Sequence, residues 1–254
     1  MDGGGIDYSK TNITRENISD CADILLQLQS FSCWYNKQRP IIKQGNLLFE
    51  NGCATGILGK NGAGKTTLFN AIAGILNGVS YEKCVYLGDS ITLNSVDFKQ
   101  CRILSFAEDH SFPTWNLEYY ISFMSSAYRV KLKPALVHEL IDGFQVGRYV
   151  HAPFHELSSG NRKKCNLIAA FALQRPLLIL DESTDFLDFE ATEYVYQLIR
   201  RRTKCGLCTV VSSHIAQTFT RCCEYLYIIS DGEISTRYRT PATADSIVAL
   251  LSGN

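Results

Sequence analysis

Hydrophobic and polar positions divide the chain into short runs whose period changes along its length. Between Ile24 and Leu58 four β-like runs follow one another: Ile24–Phe31, Pro40–Lys43, Leu47–Phe49 and Thr55–Leu58. The last enters a glycine-rich stretch, Gly59-Lys-Asn-Gly-Ala-Gly-Lys-Thr-Thr67, and Leu68–Leu76 then repeats at helical spacing. Strand, glycine loop and helix in that order open a βαβ unit. From Glu108 to about His155 the pattern is helical, with one stripe at Tyr119, Tyr120, Phe123, Met124 and Tyr128 and a second at Leu136, Leu140, Ile141 and Phe144. Pro134 stands where the second of these helices begins. A third helix is predicted over Asn161–Leu173, ended by Gln-Arg-Pro176.

The remainder alternates again. Leu177–Leu180 is a continuous apolar run, as a buried parallel strand requires, and two carboxylates end it. Glu190–Arg202 reads as helix and Thr209–Ser213 as a strand ending at His214. Tyr225–Ile229, Ser230-Asp-Gly232 and Glu233-Ile-Ser form a hairpin signal with Asp-Gly at the turn.

Composition narrows the function classes. The 254 residues carry 25 Lys and Arg against 25 Asp and Glu, so no global field draws the chain to nucleic acid or anionic lipid. The most apolar stretches, Asn166–Leu173 and Pro176–Leu180, fall far short of a membrane span. Residues 1–24 read as a polar leader without the charged start and apolar run of a secretory signal. Asn12-Ile-Thr and Asn17-Ile-Ser therefore read as chance sequons, and the chain is expected in the cytosol. Ten scattered cysteines, mostly inside apolar runs, read as buried thiols, although Cys205, Cys208, Cys222 and Cys223 could supply four zinc ligands. Arg200-Arg-Arg202 reads as a solvated helix end. The aromatic group at Trp115, Tyr119, Tyr120 and Phe123 reads as partly core, with Phe112-Pro-Thr-Trp115 exposed for a partner.

Three constellations carry chemistry. Gly59-x4-Gly64-Lys65-Thr66 fits the phosphate-binding loop. Its glycines let consecutive N–H groups face a phosphate at a helix N-terminus, Lys65 supplies a mobile charge, and the Thr66 hydroxyl can ligate Mg²⁺. Asp181 at the end of the apolar strand can hold Mg²⁺ through its water shell, and Glu182 can polarise an attacking water. Leu157-Ser-Ser-Gly160-Asn161-Arg-Lys-Lys164 places a hydroxyl, free N–H groups and a helix dipole together; Ser158 lies 93 residues after Lys65 and 23 before Asp181.

With that last motif the chain resembles the ATP-binding-cassette superfamily, whose signature usually reads Leu-Ser-Gly-Gly-Gln. The resemblance spans about residues 25–235 and is closest in character to the lone-domain ATPases of bacterial antibiotic, bacteriocin and lantibiotic export. It implies an α/β P-loop NTPase, with a mostly parallel core, an N-terminal antiparallel β subdomain and an inserted helical subdomain. The core and β subdomain would take residues 25–107 and 158–254, and the insertion 108–157. It implies that Tyr35 stacks on adenine, with Trp34 the neighbouring candidate. Gly59, Asn61, Gly62, Ala63, Gly64, Lys65, Thr66 and Thr67 would hold the phosphates. Glu108 would take the place of the Gln-loop glutamine and, with Thr66 and Asp181, reach Mg²⁺. Phe186-Leu187-Asp188 resembles the D-loop, and His214 the switch histidine at the γ-phosphate.

The resemblance further implies a composite site. Ser158, Ser159, Gly160 and Asn161 of one subunit would close over ATP on the P-loop of another, a second copy or a paralogous ATPase. Catalysis would rest on Glu182, His214 and Lys65. A separate integral membrane chain would hold the subunit at the cytoplasmic face of the membrane. Glu108, Ser159 and Ser183 depart from the usual pattern, so the expectation is slow rather than absent hydrolysis. Two other readings stay open: a soluble ATPase such as an iron–sulfur assembly ATPase, and a nucleotide switch that does not turn over.

Overall fold

The structure, a computed structural model, describes residues 24–107 and 112–252. The expected leader, apart from its last residue, and Glu108 lie outside the described residues.

The chain opens with β1 (Ile24–Gln29), β2 (Ser32–Cys33), β3 (Leu47–Glu50) and β4 (Ala54–Gly59), then α1 (Lys65–Ile72). Three short strands follow, β5 (Val79–Ser80), β6 (Lys83–Tyr86) and β7 (Asp89–Ser90), before α2 (Val96–Cys101) and β8 (Arg102–Ser105). Helices α3 (Leu117–Ala127) and α4 (Pro134–Gly143) precede α5 (Ser159–Ala172). The rest is β9 (Leu177–Leu180), α6 (Phe189–Lys204), β10 (Cys208–Ser212), α7 (Ala216–Cys222), β11 (Tyr225–Ser230), β12 (Glu233–Ile234), β13 (Tyr238–Arg239) and α8 (Ala244–Ser252).

The central sheet runs β12-β11-β4-β10-β9-β8, with β13 also on β11. Its β11-β4-β10-β9-β8 pairings are all parallel. β4, β9 and β10 are buried at every position, as strands covered on both faces must be. Alternation sends their side chains to two cores. Ile57, Leu177, Ile179 and Val210 join Leu68, Phe69 and Ile72 of α1 on one face. Leu58, Leu178, Leu180 and Val211 meet α5 and α6 on the other. A second sheet, β3-β1-β6-β7, is antiparallel and feeds Leu26, Leu28 and Phe49 into the α1 core. Helices α3 and α4 reach the opposite core through Leu117, Leu140 and Phe144, packing on α5.

Three departures from the sequence reading have physical causes. Pro40–Lys43 forms no strand; only the bridge between Cys33 and Ile42 appears there, because Pro40 has no N–H to give a ladder. The edge pair α2 and β8 went unread, since Arg102 interrupts an already short apolar run. Arg202 is not solvated but 3% exposed. Its guanidinium bonds the carbonyl oxygens of Arg175 (2.8 Å) and Cys208 (3.4 Å), and burial pulls its pKa down to about 10. Arg201, on the same turn, is exposed and pairs with Glu139.

Among the described residues the cysteines are free thiols, seven of them buried. Cys222 and Cys223 are neighbours (Sγ–Sγ 4.0 Å), and no four-cysteine metal cluster forms among the described residues. No described helix is long and apolar enough to cross a membrane.

Candidate active site

β4 runs in the middle of the parallel sheet, between β10 and β11, and delivers the glycine-rich loop at its C-terminal end. The loop needs backbone conformations that side chains resist. Gly62 (φ +78°) and Gly64 (φ +106°) are left-handed, and a Cβ on Gly64 would meet Ile41 Cγ2 at 2.7 Å. Gly64 caps α1 without a side-chain bond, and no acidic residue stands in the helix's first turn. The N–H groups at this end are thus oriented toward an anion with no resident carboxylate competing for them.

Lys65 is 5% exposed, its ammonium turned back onto the loop. Nζ donates to the carbonyls of Gly59 (3.0 Å) and Lys60 (3.4 Å) and sits 3.5 Å from Glu182 Oε1. The lysine therefore already has both loop and carboxylate contacts within its own chain.

β9 and β10 supply the acidic side. Asp181 is 1% exposed and accepts from Ser212 Oγ (2.6 Å) and from the Thr66 hydroxyl. Burial raises its carboxyl above the ordinary range and the charge of Glu182 adds to this, while those two hydroxyl bonds and Lys163 oppose the rise. Ser212 Oγ also accepts from the Glu182 N–H (3.0 Å), so one hydroxyl sets both acidic residues. Sequence reasoning passed over Ser212 as one more strand residue. Thr66 and Asp181 together present hard oxygen donors beside the loop, a donor set that suits Mg²⁺.

Glu182 stands at φ +44°, a left-handed conformation for a non-glycine residue, which turns the chain out of β9. His214 Nε2 reaches Glu182 Oε1 at 2.7 Å. The chain on either side of the histidine is braced: Ser213 Oγ bonds Thr218 (3.0 Å) and accepts from the Ile215 N–H. Lys65, Glu182 and His214, far apart in sequence, converge on one carboxylate oxygen.

The signature stretch is built differently. Ser158 caps α5, its Oγ accepting from the Asn161 N–H at 3.3 Å. Leu157 is buried, whereas Ser158 and Ser159 are exposed. Gly160 lies so close to the Phe186 carbonyl that a Cβ would meet the oxygen at 2.8 Å. Lys164 bonds Asp188 (2.6 Å), whose carboxyl is held low by that bond, and Asp188 in turn caps α6 through the Ala191 N–H. Lys163 donates to the carbonyls of Phe106 (2.6 Å) and Ala107 (3.3 Å), the two residues before Glu108. These two lysines read in sequence as a plain basic run; only the fold reveals that they fasten the signature helix to both neighbouring segments.

Tyr35 is 66% exposed on the loop after β2, while Trp34 is half-buried, its backbone N–H bonded to the Gly78 carbonyl (2.8 Å). Of the two aromatic candidates, Tyr35 is the more exposed. On another part of the surface a groove of about 400 Å³ separates the core from α3, lined by Ile75, Lys99, Arg102, Phe112, Phe123 and Tyr128 among others. Phe112 stacks on Trp115 (4.1 Å between centroids), and Phe112, Tyr119 and Phe123 stay exposed.

Comparison with known proteins identifies the family and the fold. The family described as ABC transporter matches residues 42–185. AlbC of Bacillus subtilis strain 168, named as an ABC transporter ATP-binding protein, is 31% identical over 214 residues, 83% of this chain and 90% of its own length. A solved ATP binding subunit of an ABC transporter superposes with a TM-score of 0.79 at 21% identity, over 90% of this chain and 99% of that one. An ATP-binding cassette solved as a dimer, in a post-hydrolysis state with ADP and Pi, gives a TM-score of 0.74 at 19% identity. It covers 86% of this chain and all of its own.

Proposed function

Because the chain belongs to the ABC transporter family, and is an ATPase of it, we propose that it drives a separate membrane-spanning chain, as an exporter, by closing a dimer around two ATP. The observation that carries the reading is the convergence of Lys65 (3.5 Å) and His214 (2.7 Å) on Glu182 Oε1 at the mouth of the phosphate loop.

In this reading Lys65 leaves its loop carbonyls for the β- and γ-phosphates, and the N–H groups at the start of α1 take the remaining oxygens. Tyr35 stacks on adenine. Glu182 accepts a proton from the attacking water, and His214 orients that carboxylate while facing the γ-phosphate. Thr66 and Asp181 would hold Mg²⁺, which supplies charge neutralisation at the phosphates. Ser158 and the α5 N-terminus of the second subunit complete the cradle. The dimeric relative with ADP and Pi supports that arrangement, being the same fold assembled in pairs. The aromatic groove beside α3 is where the membrane chain docks, and the pair Lys163 and Lys164 passes movement of α5 to the segment before Glu108 and to Asp188.

Tagging the chain in its host and identifying what co-purifies from mild detergent tests the assignment. A stoichiometric multi-spanning protein is expected; recovery wholly with soluble partners ends the transporter reading and favours a soluble ATPase. Glu182→Gln is expected to lower turnover by about 10²–10⁴-fold with ATP binding retained. An unchanged rate would remove Glu182 from the chemistry.

A further inference from the structure

Glu182 and His214 have a third neighbour that the nucleotide chemistry does not use. The chain leaving β9 turns on itself, with Glu182 at φ +44°, Phe186 at φ +65° and the Asp185 N–H bonded to the Glu182 carbonyl (3.2 Å). That turn carries the Asp185 carboxylate back toward His214. Glu182, Asp185 and His214 each offer one ligand atom, and the three atoms lie within 4.8 Å of one another. A tetrahedral ion with bonds of roughly 2.0–2.1 Å spaces its ligands by roughly 3.3–3.5 Å. The cluster therefore needs only small side-chain rotations to close on one ion.

Charge favours the same conclusion. Asp181, Glu182 and Asp185 crowd together, faced by Lys65, Lys163 and His214. Burial raises the Asp185 carboxyl, the negative Glu182 raises it further, and Lys163 and Lys65 only partly offset this. Lys65 has other bonds on the loop, to Gly59 and Lys60, and is not committed to Glu182 alone. A divalent ion would relieve the repulsion between the two carboxylates directly. An imidazole nitrogen with two carboxylate oxygens suits zinc and its neighbours, whereas Mg²⁺ prefers all-oxygen shells that retain water.

We propose that Glu182, Asp185 and His214 form a binding site for a divalent transition-metal ion of the zinc class, which inhibits the ATPase by occupying Glu182 and His214. The ion binds the nucleotide-free subunit, with water as fourth ligand. The inhibitory half of this inference rests on the catalytic reading of Glu182 and His214; the metal site itself does not. Asp185 has no assigned role in the nucleotide chemistry and feels Lys65 and Lys163 only through their charge, so its replacement separates the two.

The first measurement is a Co²⁺ titration of the nucleotide-free protein, followed by its visible spectrum. One equivalent is expected, with d–d bands and no thiolate charge-transfer band. A thiolate band that disappears in Cys205→Ser would overturn the proposal, since Cys205 is the exposed thiol among the described cysteines. Asp185→Ser and His214→Ala are each expected to weaken Co²⁺ and Zn²⁺ binding at least about tenfold. Undiminished affinity in Asp185→Ser would also overturn it. In activity, Asp185→Ser is expected to keep Mg²⁺-supported turnover and to need about tenfold more free Zn²⁺ for half-inhibition. Zn²⁺ inhibition equal in wild type and Asp185→Ser would sink the regulatory claim. Full ATP turnover in both Glu182→Gln and His214→Ala would sink the catalytic reading, leaving the spectrum to decide the metal site.

Discussion

The phosphate loop and the signature stretch carry similar chemistry, free N–H groups at a helix start with a hydroxyl or ammonium beside them, yet the fold treats them in opposite ways. The loop emerges from the centre of the sheet, and Lys65 is buried with three contacts inside its own chain. Ser158 and Ser159 instead stand exposed at the start of α5, and their anchors, Lys163 and Lys164, point away to Ala107 and Asp188. One set of donors is thus held within its own chain, and the other is fastened from behind and exposed in front. In the proposed two-subunit site, an exposed helix start of this kind completes an anion held by another subunit.

The comparison breaks most visibly at Lys65. Lys65→Ala is expected to reduce ATP hydrolysis by about 10³-fold and to weaken ATP binding by the isolated subunit as well. Both losses follow because the lysine faces the phosphates within one chain. Equilibrium binding of a fluorescent ATP analogue, beside phosphate-release kinetics, checks the pair. Binding within twofold of wild type would mean that Lys65 keeps its bonds to Gly59 and Lys60 when nucleotide enters.

Ser158→Ala sharpens the contrast. Turnover is expected to fall by about 10²-fold, while ATP binding to the isolated subunit stays within about twofold, because the partner copy feels the loss. The same change removes the α5 cap and is expected to cost about 1 kcal/mol of stability. If monomer binding drops as far as turnover, Ser158 serves its own chain's phosphate loop and the two-subunit site is wrong.

How much of this could be read beforehand follows the same division. The phosphate loop and the carboxylates after Leu180 could be read from a fixed spacing and an apolar run, whereas His214 was named only through the family resemblance. The parallel sheet was most legible in β9, whose continuous Leu-Leu-Ile-Leu run matches burial on both faces, and less so in β4 and β10, where Ile57-Leu58 and Val210-Val211 are flanked by small or polar residues. What went unread depended on contacts between distant segments. Ser212 gains its role only where β9 and β10 lie side by side. Arg202 looked like solvated charge, since nothing local reveals that the Arg175 and Cys208 carbonyls wait for it. Asp185 was invisible as a metal ligand because the turn at Glu182 and Phe186, which brings it to His214, requires left-handed backbone at two non-glycine residues.

Gly160 tests how closely the signature stretch is packed on its neighbour. A methyl at this position would press on the Phe186 carbonyl at 2.8 Å, and backbone must move to admit it. Gly160→Ala is expected to destabilise the fold by about 1–3 kcal/mol and to lower turnover, with monomer ATP binding unaffected. Thermal melts and nucleotide titration on one preparation distinguish this from a loss confined to the serine hydroxyl.

The smallest effects come from the ion pairs that brace each half. Glu50 on β3 accepts from both Arg237 terminal nitrogens (2.8 and 2.6 Å), and Arg237 stacks on Tyr225. The pair is largely shielded, and Arg237 holds the Glu50 carboxyl below its usual 4.5 against the opposing effect of burial. A carboxyl whose folded pKa is lowered stabilises the fold above its unfolded value and loses that contribution as pH falls through the folded one. Below about pH 4.5 the wild-type melting temperature should therefore converge on that of Glu50→Gln. Asp188, lowered by Lys164, obeys the same sign, but its side chain is 57% exposed and the pair is screened by solvent and salt. Its acid dependence should be shallower and should shrink further at high ionic strength. A steeper dependence at Asp188 than at Glu50 would mean that the signature stretch is clamped more tightly than its exposed surface implies, and the contrast between an internally held set of donors and an exposed one would no longer hold.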